Sequence, residues 1–240
     1  MKVLLLGYGK MGRVIEGIVL ERGHDIVARV DEKNRAELTG FSPEVVDVVI
    51  EFSHPDAAVE NLRDCLTLGL PVVCGTTGWL EHRAEIEALC RERDGAFFYA
   101  SNYSIGVNLF FRLNRTLARL MAQQPQYRAG LTETHHVHKK DAPSGTALTL
   151  AEDLLAEVPR YETWVLGAGS DESELPIVAL REGEVPGTHS VKYSSGQDDL
   201  EITHTAHSRE GFALGAVIAA EWLVGKQGVF GMNELLGETA

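Results

Sequence analysis

Val3-Leu-Leu-Leu-Gly-Tyr-Gly-Lys-Met-Gly12 decides the fold. Val3 to Leu6 is a short apolar run of the kind a buried strand makes. Met11, Val14, Ile15, Ile18 and Val19 then recur at the spacing of one helical face, and Gly23 stops that run. Gly7, Gly9 and Gly12 stand between strand and helix as G-x-G-x-x-G, the context in which that spacing has meaning. The first glycine permits the turn, the second lets backbone approach a pyrophosphate, and the third lets helix and strand pack closely. Free N–H groups at the helix start then face the anion. The pattern also asks for an acid closing the second strand about twenty residues on. Ile26 to Val30 is that strand, and Asp31 is the acid.

Working outward, strands at 47–52, 71–74 and 96–100 alternate with helices at 55–68 and 80–93. Pro55 sits in a first turn and Gly69 at a helix end. Strand–helix alternation implies right-handed crossovers and a parallel sheet. The expected fold class is α/β: a Rossmann-type doubly wound parallel sheet, joined to a second α+β domain.

The grammar changes near residue 104. A long helix (107–121), a strand (128–135) and a helix (144–156) precede strand-like runs at 163–166, 176–181, 189–194 and 200–206. Strands that follow one another without helices predict a mixed or antiparallel sheet. A last helix at 211–224 returns to the first domain. The expected division is a dinucleotide-binding domain of residues 1–104 and 209–240 and a substrate-binding and oligomerisation domain of 105–208.

The most informative stretch of the second domain is Glu133-Thr-His-His-Val-His-Lys-Lys-Asp-Ala-Pro-Ser-Gly-Thr-Ala147. Three His and two Lys fall within residues 135–140 of a chain whose formal net charge is −13. Ser144-Gly145-Thr146 then leads into a helix whose first N–H groups can hold a carboxylate. Three readings compete. The cluster could be a solvated basic loop. His136 and His138 could share a strand face and ligate zinc, although Lys139 and Lys140 would repel the ion and no Cys lies nearby. The third reading, a site for a small dianion with general acid chemistry, accommodates all the pieces, and no metal is expected.

In this block, His-His-x-His-Lys-x-Asp-Ala-Pro-Ser-Gly-Thr-Ala resembles the signature of the dihydrodipicolinate reductases. The resemblance continues in Glu51-Phe-Ser53, Cys74-Gly-Thr-Thr-Gly78, Ser101-Asn-Tyr-Ser-Ile-Gly-Val-Asn108, Pro186-Gly-Thr-His189, the block from Leu200 to Arg209, and Gly228-Val-Phe-Gly-Met232. It implies NAD(P)H-dependent reduction of a cyclic dicarboxylate, 4-hydroxy-tetrahydrodipicolinate, with loss of water, in the diaminopimelate route to lysine. His135 and Lys139 are implied to be the catalytic pair. His136 would contact substrate, and Gly145 with Thr146 would hold a carboxylate. Gly7, Tyr8, Gly9, Lys10, Met11, Gly12 and Asp31 would bind the cofactor. Gly75, Thr76, Thr77, Ala100, Ser101, Asn102 and Tyr103 would line its groove at strand ends. Two features depart from the family pattern: Val137 stands where an Arg is common, and the glycine loop is one residue shorter than in many members. A homotetramer built through the second domain's sheet is implied as well.

Asp31 suits the ribose hydroxyls of NADH and would repel a 2′-phosphate. Lys10, Lys33 and Arg35 are near enough in sequence to soften that repulsion, so NADH is favoured and NADPH remains open. The acidic balance argues against a nucleic-acid partner, and no apolar run approaches a membrane span. Three cysteines without CxxC spacing suggest reduced thiols and a cytoplasmic protein. Two rivals remain: another oxidoreductase on the same scaffold, and a nucleotide-sensing regulator without turnover. The His-His-x-His-Lys block weighs against the first and retention of both His135 and Lys139 against the second.

Overall fold

The computed structural model describes residues 1–208 and 210–237, so Arg209, the end of one block quoted above, lies outside the described residues. The described residues of 1–104 and 210–240 form one compact unit, and those of 105–209 form a second.

The first unit opens with β1 (Lys2–Leu6), α1 (Lys10–Glu21) and β2 (Asp25–Val30). β3 (Val48–Glu51), α2 (Pro55–Thr67), β4 (Val72–Cys74), α3 (Arg83–Glu92) and β5 (Ala96–Tyr99) follow. After the second unit the chain returns as α6 (Glu210–Leu223), β11 (Gly228–Phe230) and α7 (Met232–Leu235). Six parallel strands run in the order β11-β5-β4-β3-β1-β2. β1, β3, β4 and β5 are almost wholly apolar and buried, as strands covered on both faces must be. Edge strand β2 alternates exposed and half-buried residues before ending at the buried Val30. Helices α2 and α3 share one core with this sheet through Leu62, Leu66, Ile86 and Cys90, while α6 packs beside α1.

Some details differ from the sequence expectation, among them a 3₁₀ helix at Arg35–Gly40 and α7, neither of which the sequence pattern indicates. The helix expected at 80–93 begins as a 3₁₀ turn (Leu80–His82) before α3. β11, at three residues too short to show a period, has no counterpart in the sequence pattern.

The second unit holds α4 (Ile105–Met121), β6 (Arg128–His135), α5 (Gly145–Glu157), β7 (Thr163–Leu166), β8 (Glu174–Arg181), β9 (Gly187–Ser194) and β10 (Asp199–Ala206). Its sheet order is β10-β9-β6-β8-β7. β6 pairs parallel with β8 and antiparallel with β9, so the sheet is mixed. Along β6 every second residue is buried: Ala129, Leu131, Glu133 and His135. The first two join the apolar core with α4 and α5. The period-2 rule sends Glu133 and His135 to the same covered face. No helix among the described residues is long and apolar enough to cross a membrane.

Candidate functional site

In the first unit the chain leaves β1 toward the sheet edge at β2 and then returns to β3 on the other side of β1. Ligands of open α/β sheets bind at the strand C-terminal ends beside such a reversal. A cavity of about 790 Å³ opens there, lined among others by Gly7, Tyr8, Gly9, Asp31 and Ser53. A smaller one of about 200 Å³ is lined by Met11, Phe52, Ser53, Gly75, Thr76 and Thr77. Phe52 and Ser53 belong to both.

The glycine loop is built for close approach. Gly7 has φ of +97°, and a Cβ there would lie 2.1 Å from the Phe52 carbonyl oxygen. A Cβ on Gly12 would lie 2.4 Å from the Gly7 oxygen, but one on Gly9 would meet nothing within 4 Å. Gly7 and Gly12 are thus glycines because protein fills the space, and Gly9 faces open volume at the N-cap of α1. An open approach to unpaired N–H groups is what a pyrophosphate needs. The residues present fit a dinucleotide.

The adenosine end has a defined floor. Asp31 Oδ1 accepts from Lys33 N–H at 2.8 Å, and Asp31 N–H donates to Asn34 Oδ1 at 2.8 Å. Arg35, read from sequence as softening a 2′-phosphate, is otherwise engaged: Nε donates to Asn61 Oδ1 at 2.6 Å and Nη2 to Asp64. Arg13, which no sequence motif singles out, lines the larger cavity with its guanidinium 5.3 Å from the Tyr8 ring centre. Tyr8 donates to Glu16, which also takes Arg29. Lys10 is exposed at the first position of α1.

Several groove residues act from beneath rather than by facing outward. Thr76 is buried, and its Oγ1 accepts from Ser53 N–H at 2.8 Å. The Tyr103 side chain is buried and donates to the Cys74 carbonyl at 2.7 Å, so its hydroxyl is used inside the fold. Gly75 passes over the Phe52 ring so closely that a Cβ would lie 2.1 Å from it. Ala100 is buried, Asn102 half-buried, and Thr77 and Ser101 are exposed. Cys74 lies fully buried against Glu51, and burial pushes its thiol well above the ordinary range, so it is no nucleophile.

In the second unit, His135 ends β6, and His136 to Lys139 form the turn after it. Lys139 Nζ donates to Asp141 Oδ2 at 2.6 Å, and this ammonium holds the Asp141 carboxyl below the usual range. His136 is half-buried, whereas Val137, His138 and Lys140 are exposed. His138 pairs with Glu184. The helix that follows starts as the sequence indicates. Ser144 is the N-cap of α5, its Oγ accepting from Ala147 N–H at 3.2 Å. Gly145 and Thr146 are therefore the first two helical residues, whose N–H groups precede the hydrogen-bonded ladder.

Beneath this loop lies a buried polar cluster that no sequence motif reveals. Glu133 is fully buried. Its Oε2 accepts from Ser144 N–H at 2.9 Å, and Oε1 lies 3.2 Å from Arg181 Nη2. Oε2 also lies 3.7 Å from His135 Nδ1 and 3.8 Å from His189 Nε2. Burial alone would raise the Glu133 pKa, but Ser144, His135 and Arg181 outweigh it and hold the group below the ordinary value. Burial lowers His135, with Glu133 pulling the other way. His189, more deeply enclosed and facing His135, falls to about 4. Glu133, His135 and His189 bring ligand-type atoms within 4.8 Å of one another. Arg181 already neutralises that carboxylate and each of its oxygens has a donor, which argues against a cation there.

Two family models account for nearly all of the chain: the N-terminus of dihydrodipicolinate reductase matches residues 1–103, and its C-terminus matches residues 106–236. The chain belongs to the dihydrodipicolinate reductase family. The 4-hydroxy-tetrahydrodipicolinate reductase of Christiangramia forsetii is 48% identical over 239 residues, which span 99% of this chain and 98% of that protein. That of Methanospirillum hungatei is 36% identical over 255 aligned positions, spanning 98% of each. Among solved structures, the dipicolinate-bound dihydrodipicolinate reductase from Paenisporosarcina sp. TG-14 superposes with a TM-score of 0.76 over 98% of both chains. At 22% identity, that likeness speaks to the fold. Membership places the chain among NAD(P)H-dependent oxidoreductases and weighs against both rival readings drawn from sequence.

Proposed function

We propose that this chain reduces 4-hydroxy-tetrahydrodipicolinate to tetrahydrodipicolinate with loss of water, using NADH in preference to NADPH. The observation that carries the reading is the near full-length match to 4-hydroxy-tetrahydrodipicolinate reductases. The open glycine loop and the cationic turn that precedes α5 fit the chemistry it requires. The 1–104 and 209–240 segments serve the dinucleotide, and 105–208 serve the substrate.

Bound NAD(P)H supplies the hydride. Gly9, at the open N-cap of α1, would admit the pyrophosphate, Gly7 and Gly12 allow the close packing that shapes the loop, and Asp31 would receive the ribose hydroxyls. In the second unit the N–H groups of Gly145 and Thr146 hold one substrate carboxylate, and His136 gives a further contact. The reduced ring must gain a proton, and Lys139, or His135 in its cationic form, is the donor.

The cofactor preference follows from charge. Asp31 is fixed by Lys33 N–H, and Arg35 is committed to Asn61 and Asp64. A 2′-phosphate would therefore meet a carboxylate with one fewer cation to offset it. Asp31→Ser should weaken NADH use by about 10-fold, the worth of a charged hydrogen bond, and narrow the gap to NADPH. Steady-state kcat/KM for both cofactors checks this, and an unchanged ratio would remove Asp31 from the selection.

A homotetramer joined through the uncovered face of the mixed sheet belongs to the same proposal. Val178 and Leu180 are 39% exposed there, an apolar surface that a second copy would cover.

The decisive assay is NADH oxidation with substrate generated in place by a dihydrodipicolinate synthase from pyruvate and aspartate semialdehyde. Oxidation should require the synthase. Nucleotide binding without oxidation would sink the reductase reading for this chain.

A further inference from the structure

The buried carboxylate of Glu133 touches four of the elements that carry the candidate substrate site. It lies on β6 two residues before His135, and it accepts from the N-cap residue of α5. It also pairs with Arg181 at the end of β8 and faces His189 on β9. No apolar residue could replace it without stranding the Ser144 N–H and the Arg181 guanidinium in a closed interior. That accounts for a polar cluster here, but it does not account for the orientation of the His135 ring.

His135 turns Nδ1 toward Glu133 Oε2 at 3.7 Å, beyond hydrogen-bond length but within strong electrostatic reach. Nδ1 has no hydrogen-bond partner among the described residues. On the other side of the ring, Nε2 would lie 3.1 Å from a Cβ placed on Gly187. A side chain at 187 would thus crowd the ring at the nitrogen opposite Glu133. The His189 ring meets the His135 ring edge-on, 5.0 Å between centres. Its Nε2 shares a hydrogen bond with the Ser144 hydroxyl at 3.0 Å.

We propose that Glu133 is a positioning residue for the reaction: its buried carboxylate, 3.7 Å from His135 Nδ1, orients that ring and partly offsets the burial that disfavours its cationic form. The inference rests on the reductase reading above. The charged and titratable groups facing His135 are Glu133 on its own strand, His189 on β9, Arg181 on β8, and Lys139 and His136 in the following turn. Glu133 is the only one of these groups that favours the imidazolium. Burial is the largest influence against it, and Lys139, Arg181 and His136 add to that, so His135 lies below its ordinary value and Glu133 limits the fall; His189, neutral near pH 7, contributes no opposing full charge there. Because Glu133 is held ionised by Ser144 and Arg181, its charge is available throughout the neutral range.

The sign of the effect is definite. An acid that must be cationic works below its pKa, so kcat falls as pH rises through that value. Neutralising Glu133 lowers the His135 pKa and moves the falling limb to lower pH. Neutralising Arg181 moves it to higher pH. A group that only supports the fold would lower the rate at every pH and leave the limb in place.

The test compares the full-length wild type with Glu133→Gln and Arg181→Gln. The His135 C2–H titration is followed by NMR, with the resonance assigned by its loss in His135→Asn, alongside kcat against pH. Glu133→Gln should shift the His135 titration and the kcat limb down together by about one pH unit, and Arg181→Gln should shift both up. Should Glu133→Gln fail to fold, Glu133→Asp carries the test: it keeps the charge but withdraws it from Nδ1 by one methylene, and should shift both down by a smaller amount. A His135 titration unmoved in the folded variants overturns the proposal, as does one that moves while the kcat limb stays. Wild type without any synthase-dependent turnover would overturn the reductase reading instead, an outcome the NMR arm distinguishes because it needs no substrate.

Discussion

Lys139→Ala is expected to lower kcat by about 10²–10⁴-fold, the usual worth of a positioned general acid, and to leave the dissociation constant for NADH unchanged. The two halves of this expectation come from different units. Every residue lining the two cavities at the strand ends of the first sheet belongs to 1–104, so removing Lys139 takes nothing from them. In the second unit Lys139 is one of two candidates for the proton, and its ammonium is tethered to Asp141 at 2.6 Å beside the start of α5. The tether offers a rival explanation, in which Lys139 merely holds the turn. Lys139→Arg separates the two. Arginine keeps the positive charge and can still reach a carboxylate, but it holds its proton too tightly to donate it. Turnover restored by Arg would make Lys139 a structural cation, whereas turnover lost in both variants with normal NADH binding fits a Lys139 that takes part in proton transfer together with His135. Isothermal titration with NADH and single-turnover rates with synthase-generated substrate read the two quantities independently.

Much of the fold is legible in the sequence because it depends on periodicity, which is local. The run Val3–Leu6, the helical spacing from Met11 to Val19 and Asp31 at the end of the second strand require no tertiary information, and α1 and β2 form where that pattern indicates. The switch to consecutive strands after 160 likewise appears as a mixed sheet. β11 is illegible because three residues beside β5 take their strand geometry from their neighbour.

The site is legible where chemistry is concentrated in one segment and illegible where it is assembled. His135, His136, Lys139, Gly145 and Thr146 stand within a dozen residues and announce themselves. Glu133 sits in the same segment, and alternation with Leu131 already sends it to the covered face. Its meaning lies in Arg181 and His189, which the sheet brings from two other strands. Arg35 misleads for the same reason. Sequence proximity to Asp31 suggests a phosphate contact, but the guanidinium finds Asn61 and Asp64 on α2.

The glycine loop yields a second large effect, and here two neighbouring glycines should behave in opposite ways. Gly7→Ala places a side chain at φ of +97° and a Cβ 2.1 Å from the Phe52 carbonyl. Left-handed strain and overpacking against backbone together cost on the order of 3 kcal/mol, because neither β1 nor the chain after β3 can yield without disturbing the buried sheet. A lower unfolding midpoint in denaturant should accompany weakened NADH binding. Gly9→Ala meets far less resistance: its φ of −83° is open to alanine, its ψ of −151° lies just beyond the usual extended range, and its Cβ finds no atom within 4 Å. Its stability should change by less than about 1 kcal/mol, because the restricted unfolded chain offsets that backbone strain. Yet the added methyl occupies the approach to the N-terminus of α1. Breaking one charged N–H···O hydrogen bond to the pyrophosphate costs roughly 1.5–3 kcal/mol, so NADH affinity should fall about 10- to 100-fold. Chemical denaturation and fluorescence titration of NADH on both variants read the two effects. A Gly9→Ala protein that binds NADH as tightly as wild type would show that no pyrophosphate approaches the backbone at this position, and the glycine spacing would then have only a folding role.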